Sequence, residues 1–412
     1  MGRSDLPRRF AFGRWFTATA AGLAVLGSLG IGTSVIAHAA TGSRPVQATT
    51  VDGTWGASTD RTGATLNNQT VRDIVRTNIG GSGLEIKLSN VFGSQPVTFG
   101  HVTVGVEQSG AALVPGTNRQ VTFSRNQSVT VPPGAEVVSD PLPGYFAPQK
   151  NLAVSAYVQG ATGTITGHNL AEQTSYVSAA GDHAAEDAAT AFPATIQNWF
   201  FLDGIFVTEP KTVGTVVALG DSITDGARST AGTNNRWPDV LARRLLQRPP
   251  AQQMGVLNEG ISGNKILTDG AGVSALARFD RDVLAQPNAK TVILLEGIND
   301  LSGGATADQV IAGDRQIIAR AHAAGKCILG GTLTPFGTSS AQEQAAVVTV
   351  NNFIRSSGEF DGVVDFNAAV RDPANPSRIL PAYDSGDGLH PNDAGYQAMG
   401  NAVSLKMLNC KR

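Results

Sequence analysis

The chain has 412 residues, a formal net charge of −2 at pH 7, 41% hydrophobic residues, 6% aromatic residues and 16% charged residues. This balance is typical of a folded protein and argues against a disordered chain. Downstream of the N-terminus no basic cluster is interleaved with aromatic residues, which argues against a nucleic-acid partner. At this length we expect two domains, because one hydrophobic core rarely serves so long a chain.

The first 40 residues have the pattern of a secretory signal peptide. Four arginines form a basic start, a run rich in Gly, Ala, Leu and Val follows from Trp15 to Ile36, and Ala37-His38-Ala39 offers a small-x-small cleavage site. We therefore expect residues 1–40 to be removed and the mature protein to be secreted, with no stable membrane anchor. The apolar run is also long enough to span a membrane, so an uncleaved anchor is the alternative. The choice between the general secretory and the twin-arginine route stays open.

Residues 41–210 have the pattern of an all-β domain. Short segments that alternate apolar and polar residues are separated by Gly- and Pro-rich turns, as in a β-sandwich, here of a jelly-roll-like kind. A loop is expected at Ala179–Ala191 and a short linker at Glu209–Thr212. The predicted strands are Leu84–Leu88, His101–Val106, Gln127–Val131, Leu152–Val158, Gly163–Thr166 and Trp199–Val207.

In residues 211–412 apolar runs alternate with helical patterns. The clearest helix is predicted at Ala307–Ala324, with Thr306 and Gln309 forming a capping box and Gly325 ending it. This alternation predicts an α/β fold with a doubly wound, parallel five-stranded sheet, whose chemistry gathers at the carboxyl ends of the strands. The predicted strands are Gly214–Leu219, Gly255–Asn258, Thr291–Leu295, Cys327–Leu333 and Gly362–Phe366.

Polar segments follow the first three of these strands, and a fourth lies near the C-terminus. They are Gly220-Asp-Ser222, Asn258–Asn264, Glu296–Asp300 and Asp384–Gly395. Because the strands of a parallel sheet end at one edge, we expect these segments to meet there. Together they supply a serine nucleophile, a histidine base, an acid to orient that base and donors for an oxyanion, which is what acyl transfer needs.

In these segments the sequence resembles the SGNH (GDSL-type) esterase/lipase family. The family's four blocks occur in order as Gly220-Asp-Ser222, Gly260, Gly297-Ile-Asn299-Asp300 and Asp387-Gly-Leu-His390, and the resemblance covers about residues 213–408. It implies a flavodoxin-like sheet of the SGNH-hydrolase type and a carboxylic ester hydrolase that uses no metal and no cofactor. One departure is Glu259, which stands where a small residue is commoner and is expected in the wall of the pocket.

The resemblance also implies a role for each matching residue. Ser222 is the nucleophile, His390 is the base that later protonates the leaving alcohol, and Asp387 orients the imidazole. The oxyanion hole consists of the backbone N–H groups of Ser222 and Gly260 and the side-chain amide of Asn299. The alternatives are that Asn299 only caps a helix and that Gly260 only serves a tight turn.

Two aspartates precede His390 closely enough to orient it. Asp387 is favoured over Asp384, because a three-residue spacing lets one short loop deliver both the acid and the base, and the family's pattern agrees. Asp300 is expected to be structural.

These features predict a secreted serine esterase that acts on short acyl esters or on O-acetyl groups of a carbohydrate. One alternative is a lipase on longer acyl chains, although no lid-like apolar insertion separates the blocks. Another, from a different class, is a non-catalytic glycan-binding protein with a degenerate hydrolase domain. The substrate is thus a small-molecule or polysaccharide ester, and the oligomeric state stays open.

The two cysteines, Cys327 and Cys410, are predicted to form a disulfide, which an exported protein can keep. Cys327 opens the fourth predicted strand and so lies at the sheet edge away from the catalytic segments. The helix after His390, capped by Asn392, must run back to that edge and is expected to end near residues 408–410.

Overall fold

The computed structural model describes residues 50–208 and 211–410, so the predicted signal peptide and part of the predicted linker lie outside it. Within the first range the chain is built of strands, and their bounds follow. They are β1 Val51–Gly56, β2 Asp60–Arg61, β3 Asn67–Arg76, β4 Gly81–Ser89, β5 Val97–Ser109, β6 Ala112–Leu113, β7 Arg119–Val121, β8 Val129–Val131, β9 Glu136–Val138, β10 Leu142–Phe146, β11 Asn151–Ala161, β12 Thr166–His168, β13 Ser175–Ala180, β14 Ala194–Ile196, β15 Trp199–Phe200 and β16 Leu202–Thr208.

These strands form antiparallel sheets that share one hydrophobic core. One sheet has the order β1-β16-β4-β10, a second has the order β14-β13-β3-β11-β5-β6, and β15-β12-β2 form a small third sheet. Ile86 and Ile205 of the first sheet lie in the same buried cluster as Val71 and Val104 of the second. The region is therefore antiparallel and β-rich, as predicted, while its jelly-roll-like topology stays a prediction.

The predicted strands of this region are present with shifted bounds, and at two of them a residue with positive φ explains the difference. The segment predicted at Gly163–Thr166 forms its strand later, at Thr166–His168, since Gly163 has a φ of 62°. The segment predicted at Trp199–Val207 is divided in two because Phe201 has a φ of 63°, which a continuous strand cannot accommodate.

The second range contains a parallel sheet of five strands. Its strands are β17 Gly214–Gly220, β18 Met254–Gly260, β19 Ala289–Leu295, β20 Cys327–Gly331 and β21 Gly362–Val364, in the order β18-β17-β19-β20-β21. That is the order of flavodoxin-like sheets. Every residue of β17 is buried, as expected of a strand that is covered on both faces. The predicted fifth strand ends early, because the Asp365 side chain caps a helix that begins at Phe366.

Eight α-helices connect these strands or follow them within residues 211–410. The predicted helix at Ala307 is present, and both halves of its Thr306–Gln309 capping box are formed. No helix among the described residues is long and apolar enough to cross a membrane. The helices are α1 Ser222–Asp225, α2 Trp237–Leu246, α3 Ala275–Phe279, α4 Ile298–Ser302, α5 Ala307–Ala323, α6 Ala341–Ser356, α7 Phe366–Val370 and α8 Asp393–Ala402; a 3-10 turn (Pro250–Gln252) and a π-helical turn (Asp280–Leu284) complete the set.

The antiparallel region meets the parallel sheet along strand β18. Ala57, directly after β1, forms a parallel bridge with Asn258 of β18, and the Asn78 side chain donates to the Val256 carbonyl at 2.5 Å. The described residues, 50–208 and 211–410, all belong to one compact unit, and a domain boundary near residue 210 stays a prediction. The antiparallel region thus borders the strand whose end carries the second predicted catalytic segment.

A disulfide joins Cys327, the first residue of β20, to Cys410, with the two Cα atoms 6.0 Å apart. The route of the chain differs from the prediction. Helix α8 begins after its Asn392 cap but ends at Ala402, and the following non-helical residues bring Cys410 to the strand. The Leu408 carbonyl accepts a hydrogen bond from the Thr291 hydroxyl at 2.6 Å, which fixes this tail against β19.

Candidate active site

Strand β17 delivers Ser222 to the carboxyl edge of the parallel sheet. The strand ends at Gly220, Asp221 caps the next helix by accepting a hydrogen bond from Ile223 N–H, and Ser222 is the first residue of that helix. Helix α1 has only one turn, because Gly226 ends it with a φ of 101°. Ser222 is 8% exposed, so most of its surface is covered by the surrounding residues.

Ser222, His390 and Asp387 form a continuous hydrogen-bonded chain. Ser222 Oγ lies 2.9 Å from His390 Nε2, and His390 Nδ1 lies 2.8 Å from Asp387 Oδ2. Because a carboxylate can only accept, Nδ1 carries the proton and Nε2 of the neutral ring is left to accept from the serine. The structure therefore brings the three predicted catalytic residues together in the order that proton transfer requires.

The Asp387 carboxylate is ionised by its surroundings. Its other oxygen accepts hydrogen bonds from the backbone N–H groups of His390 at 2.8 Å and Leu389 at 3.0 Å. Burial raises the pKa of Asp387, but these hydrogen bonds and the one from the imidazole outweigh burial and hold the pKa well below its usual range. Arg228 Nε lies 3.5 Å from the carboxylate and is largely exposed, so it adds little.

Asp384, the other candidate acid, does not touch His390. Its Oδ1 accepts hydrogen bonds from Gly386 N–H at 2.8 Å and Gly388 N–H at 3.1 Å. These bonds shape the loop that carries Asp387, so the role of Asp384 in the structure is to hold the loop.

The backbone N–H of Gly260, which was expected to bind the oxyanion, already donates a hydrogen bond within the protein. Gly260 N–H donates to the Asn258 side chain at 3.1 Å, and a Cβ at this position would lie 2.2 Å from Asp225 N. Glycine is needed here because strand β18 passes so close to helix α1. The structure thus argues against the predicted oxyanion role, because the Gly260 N–H already has an acceptor, and close packing rather than a tight turn accounts for the glycine.

Gly263, three residues later, lies in a tight turn and has a backbone N–H that is available to an oxyanion. It lies in a turn closed by the bond from Asn264 N–H to the Ile261 carbonyl, and its φ of 80° favours glycine. No described residue accepts a hydrogen bond from Gly263 N–H. Sequence reasoning missed this residue, although it stands in the same segment and next to Asn264.

Asn299 is held beside this turn. It is the second residue of helix α4, whose cap is Gly297, so the capping alternative is wrong. Its side-chain amide donates to the Asn264 carbonyl at 2.9 Å, which leaves its second N–H for another acceptor. Asp300 accepts from Ile266 N–H at 2.8 Å and is buried, so it is structural, as predicted.

Arg278 links the ends of two strands at this edge of the sheet, a role that sequence analysis did not predict. Its buried guanidinium donates to the carbonyl oxygens of Gly220 at 3.0 Å and Glu259 at 2.7 Å, at the ends of β17 and β18. It also donates to the Asn264 side chain at 3.0 Å. A single side chain therefore links the strand that leads to Ser222 to the turn that contains Gly263.

Glu259 lies against the antiparallel region and not in a pocket wall, which corrects the prediction. It is 1% exposed, and its carboxyl group is 2.7 Å from the Ser58 hydroxyl. Burial, aided by the charge of Asp282, raises the pKa of Glu259. Burial also raises the pKa of Asp221 to about 7, with Asp300 and Asp225 adding to the rise against the hydrogen bond from Ile223.

A polar cleft of about 580 Å³ opens beside the loop of Asp387. Most side chains around it can hydrogen-bond, and its lining includes Thr338, Asp372, Asn375, Arg378 and Asp384.

Among the described residues, one group could hold a metal ion, namely Cys327, Asp361 and Cys410. The disulfide removes the two thiolates that such a site would need.

Comparison with known proteins gives a match to one family model. Residues 218–398 match the GDSL-like Lipase/Acylhydrolase family, and this range includes every predicted catalytic and oxyanion residue. No curated protein matches the sequence.

Solved structures similar to the chain include Axe2, an acetylxylan esterase from Geobacillus stearothermophilus, with 22% identity, coverage of 48% of this chain and 94% of Axe2, and a TM-score of 0.37. An alpha/beta hydrolase from the metagenome of Lake Arreo, Spain, gives 22% identity, coverage of 48% and 96%, and a TM-score of 0.37. A member of the lipolytic G-D-S-L family from Veillonella parvula DSM 2008 gives 17% identity, coverage of 46% and 94%, and a TM-score of 0.35.

Proposed function

We propose that this protein, whose residues 218–398 form a GDSL-like lipase/acylhydrolase domain and make it a carboxylic ester hydrolase, is a secreted serine esterase for short acyl esters. The observation that carries the proposal is the hydrogen-bonded chain from Ser222 Oγ through His390 to Asp387, with links of 2.9 and 2.8 Å. Export is supported by the signal-peptide pattern of residues 1–40, and N-terminal sequencing of the exported protein should find a start near residue 41; an intact N-terminus would contradict it.

The reaction proceeds through an acyl-enzyme. His390 Nε2 takes the proton of Ser222 as the serine oxygen attacks the ester carbonyl carbon, and an oxyanion forms. The intermediate collapses when His390 returns that proton to the leaving alcohol. A water molecule, deprotonated by His390, then attacks the acyl group and releases the acid and the free serine. Asp387 stabilises the imidazolium in both halves.

Three donors are assigned to the oxyanion. Ser222 N–H and the Asn299 side-chain amide are kept from the sequence prediction, and Gly263 N–H replaces Gly260 N–H, which is already bonded to Asn258. The assignment is supported by the hydrogen bond from Asn299 to the residue after Gly263. One such donor contributes about 3 kcal/mol to lowering the barrier.

The alcohol part of the substrate is assigned to a carbohydrate, so that the acyl group is an O-acetyl or another short chain. The polar cleft beside Asp387 supports this, because its Asp, Asn and Arg side chains can hydrogen-bond to sugar hydroxyls. The same cleft also has an apolar part, which includes Ile379 and Pro381 and would contact a longer acyl chain. Lipase activity on longer chains is therefore the second candidate, and non-catalytic glycan binding is the third.

A chain-length series of p-nitrophenyl esters, run beside release of acetate from acetylated xylan, tests the proposal. We expect the highest kcat/KM for acetate, measurable acetate release, and a loss of about a million-fold in turnover in Ser222→Ala. Ser385→Ala is the matched control, because this serine lies in the loop of His390 and its buried hydroxyl has no hydrogen-bond partner among the described residues. It should keep activity within twofold.

The other outcomes identify the other candidates. If kcat/KM for the p-nitrophenyl esters rises with acyl-chain length up to octanoate, the protein is a lipase and not an esterase for short acyl chains. If the protein binds xylan, and if wild type and Ser222→Ala hydrolyse the esters at the same rate, the protein is a glycan-binding protein and not a catalyst.

A further inference from the structure

A buried histidine of the antiparallel region reaches the active site from outside the parallel sheet. His168, the last residue of β12, is 4% exposed, and its Nε2 lies 2.9 Å from Asp225 Oδ1. Asp225 is the last residue of α1, the one-turn helix that Ser222 begins. A residue of the antiparallel region is thus one hydrogen bond away from the nucleophile's helix.

Both ring nitrogens of His168 face acceptors. Nδ1 lies 2.8 Å from the Ser58 carbonyl, and Nε2 also lies 3.0 Å from the Leu170 carbonyl. Carbonyl oxygens and carboxylates cannot donate a hydrogen bond, so each nitrogen must carry a proton if every contact is to be satisfied. The geometry therefore requires the imidazolium form, paired with the carboxylate of Asp225.

The second oxygen of Asp225 holds the turn that carries Gly263. Asp225 Oδ2 accepts from Ser262 N–H at 2.9 Å and from the Ser262 hydroxyl at 2.6 Å. Ser262 directly precedes Gly263. The carboxylate therefore bridges His168 on one side and the backbone of the turn on the other.

We propose that His168 is a positioning residue, whose imidazolium fixes Asp225 and through it the turn of Ser262 and Gly263 against the nucleophile's helix. The inference rests on the proposed esterase function and gives the antiparallel region a part in catalysis. If His168 Nε2 loses its proton, it no longer donates a hydrogen bond to Asp225, and the Asp225 carboxylate can rotate. The Gly263 N–H then no longer points to the place where the oxyanion forms. Displacements of this kind cost catalysis steeply, because a shift of about 1 Å can lower a rate by a factor of a hundred.

The charge on His168 makes the proposal testable by pH. Burial lowers the pKa of His168, but the charge of Asp225 and the hydrogen bonds around the ring outweigh it, so the pKa lies above its usual value. The ordering by His168 is therefore complete below about pH 6.5, the value of a free histidine, and is lost as pH rises through the raised pKa. Other charged groups around the cavities beside His168 are Asp60, Arg76, Arg236 and Asp239.

The experiment compares the pH profile of kcat for p-nitrophenyl acetate in wild type, His168→Gln and His183→Gln. The wild type should show a falling alkaline limb. His168→Gln should lose that limb, because the amide does not titrate, and should have a kcat lower by about ten- to a hundredfold with KM within threefold. His183→Gln is the matched control: this half-buried histidine of the same region is 2.7 Å from Glu186, faces a carbonyl with its other nitrogen and does not touch Asp225.

The results of these assays distinguish a failure of the His168 proposal from a failure of the proposed esterase function. A wild-type kcat and alkaline limb in a folded His168→Gln protein would overturn the role of His168, while Ser222→Ala in the same assay tests the esterase function independently. If His168→Gln does not fold, two other measurements test the role of His168, namely the alkaline limb of the wild-type pH profile and the kcat of Ser262→Ala. A flat alkaline profile together with unchanged kcat in Ser262→Ala would overturn the inference, and an alkaline limb with reduced kcat would support it.

Discussion

Replacing Asp387 by asparagine should move the proton of the His390 ring from Nδ1 to Nε2. In the native loop one carboxylate oxygen accepts from the backbone N–H groups of His390 and Leu389, and the other faces His390 Nδ1 at 2.8 Å. An asparagine has only one oxygen, and two backbone donors compete for it. Its NH₂ group is then directed at Nδ1, which must accept, so the proton moves to Nε2.

The expected loss follows from this tautomer. A ring that carries its proton on Nε2 cannot take a proton from Ser222, whose Oγ lies 2.9 Å away. A triad with the wrong tautomer turns over about ten-thousandfold more slowly, which corresponds to roughly 5.5 kcal/mol in the barrier. The asparagine is nearly the same size as the aspartate, so the fold should persist.

The assay is kcat for p-nitrophenyl acetate at pH 8, with the melting temperature measured on the same samples. Asp384→Asn is the control, because its single oxygen can still accept from Gly386 and Gly388 N–H. We expect Asp384→Asn to retain activity within about tenfold, since the loop is kept. A larger loss in Asp384→Asn than in Asp387→Asn would refute the assignment, and so would Asp387→Asn activity within tenfold of wild type.

Two further predictions separate chemistry from packing. Asn299→Ala should lower kcat by about a hundred- to a thousandfold with little change in melting temperature. Gly260→Ala should instead lower the melting temperature, since its Cβ would meet Asp225 N at 2.2 Å. An unchanged kcat in Asn299→Ala would contradict the oxyanion role of Asn299, and an unchanged melting temperature in Gly260→Ala would contradict the packing role of Gly260. Replacing Cys327 and Cys410 by serine should lower the free energy of unfolding by about 4 to 5 kcal/mol in the chain-entropy model, measured by urea denaturation, and an unchanged value would mean that the disulfide adds no stability.

The sequence alone determined the features that depend on neighbours along the chain. The parallel strands, the helix at Ala307 with its Thr306 cap, and the loop that brings Asp387 to His390 follow from local periodicity, capping and a three-residue spacing. Family resemblance added the partnership of Ser222 with His390, which lie 168 residues apart.

Only the tertiary structure decided which groups occupy the remaining positions around Ser222. The partner of Glu259 is Ser58, 201 residues away, and His168 reaches Asp225 from a different sheet, so no local pattern could predict either contact. The choice between Gly260 and Gly263 has the same cause. Both glycines stand in one short segment, but the approach of helix α1 to β18 gives Gly260 a packing role. The φ of 80° at Gly263, and an N–H that none of residues 50–208 and 211–410 accepts, follow only from the folded chain.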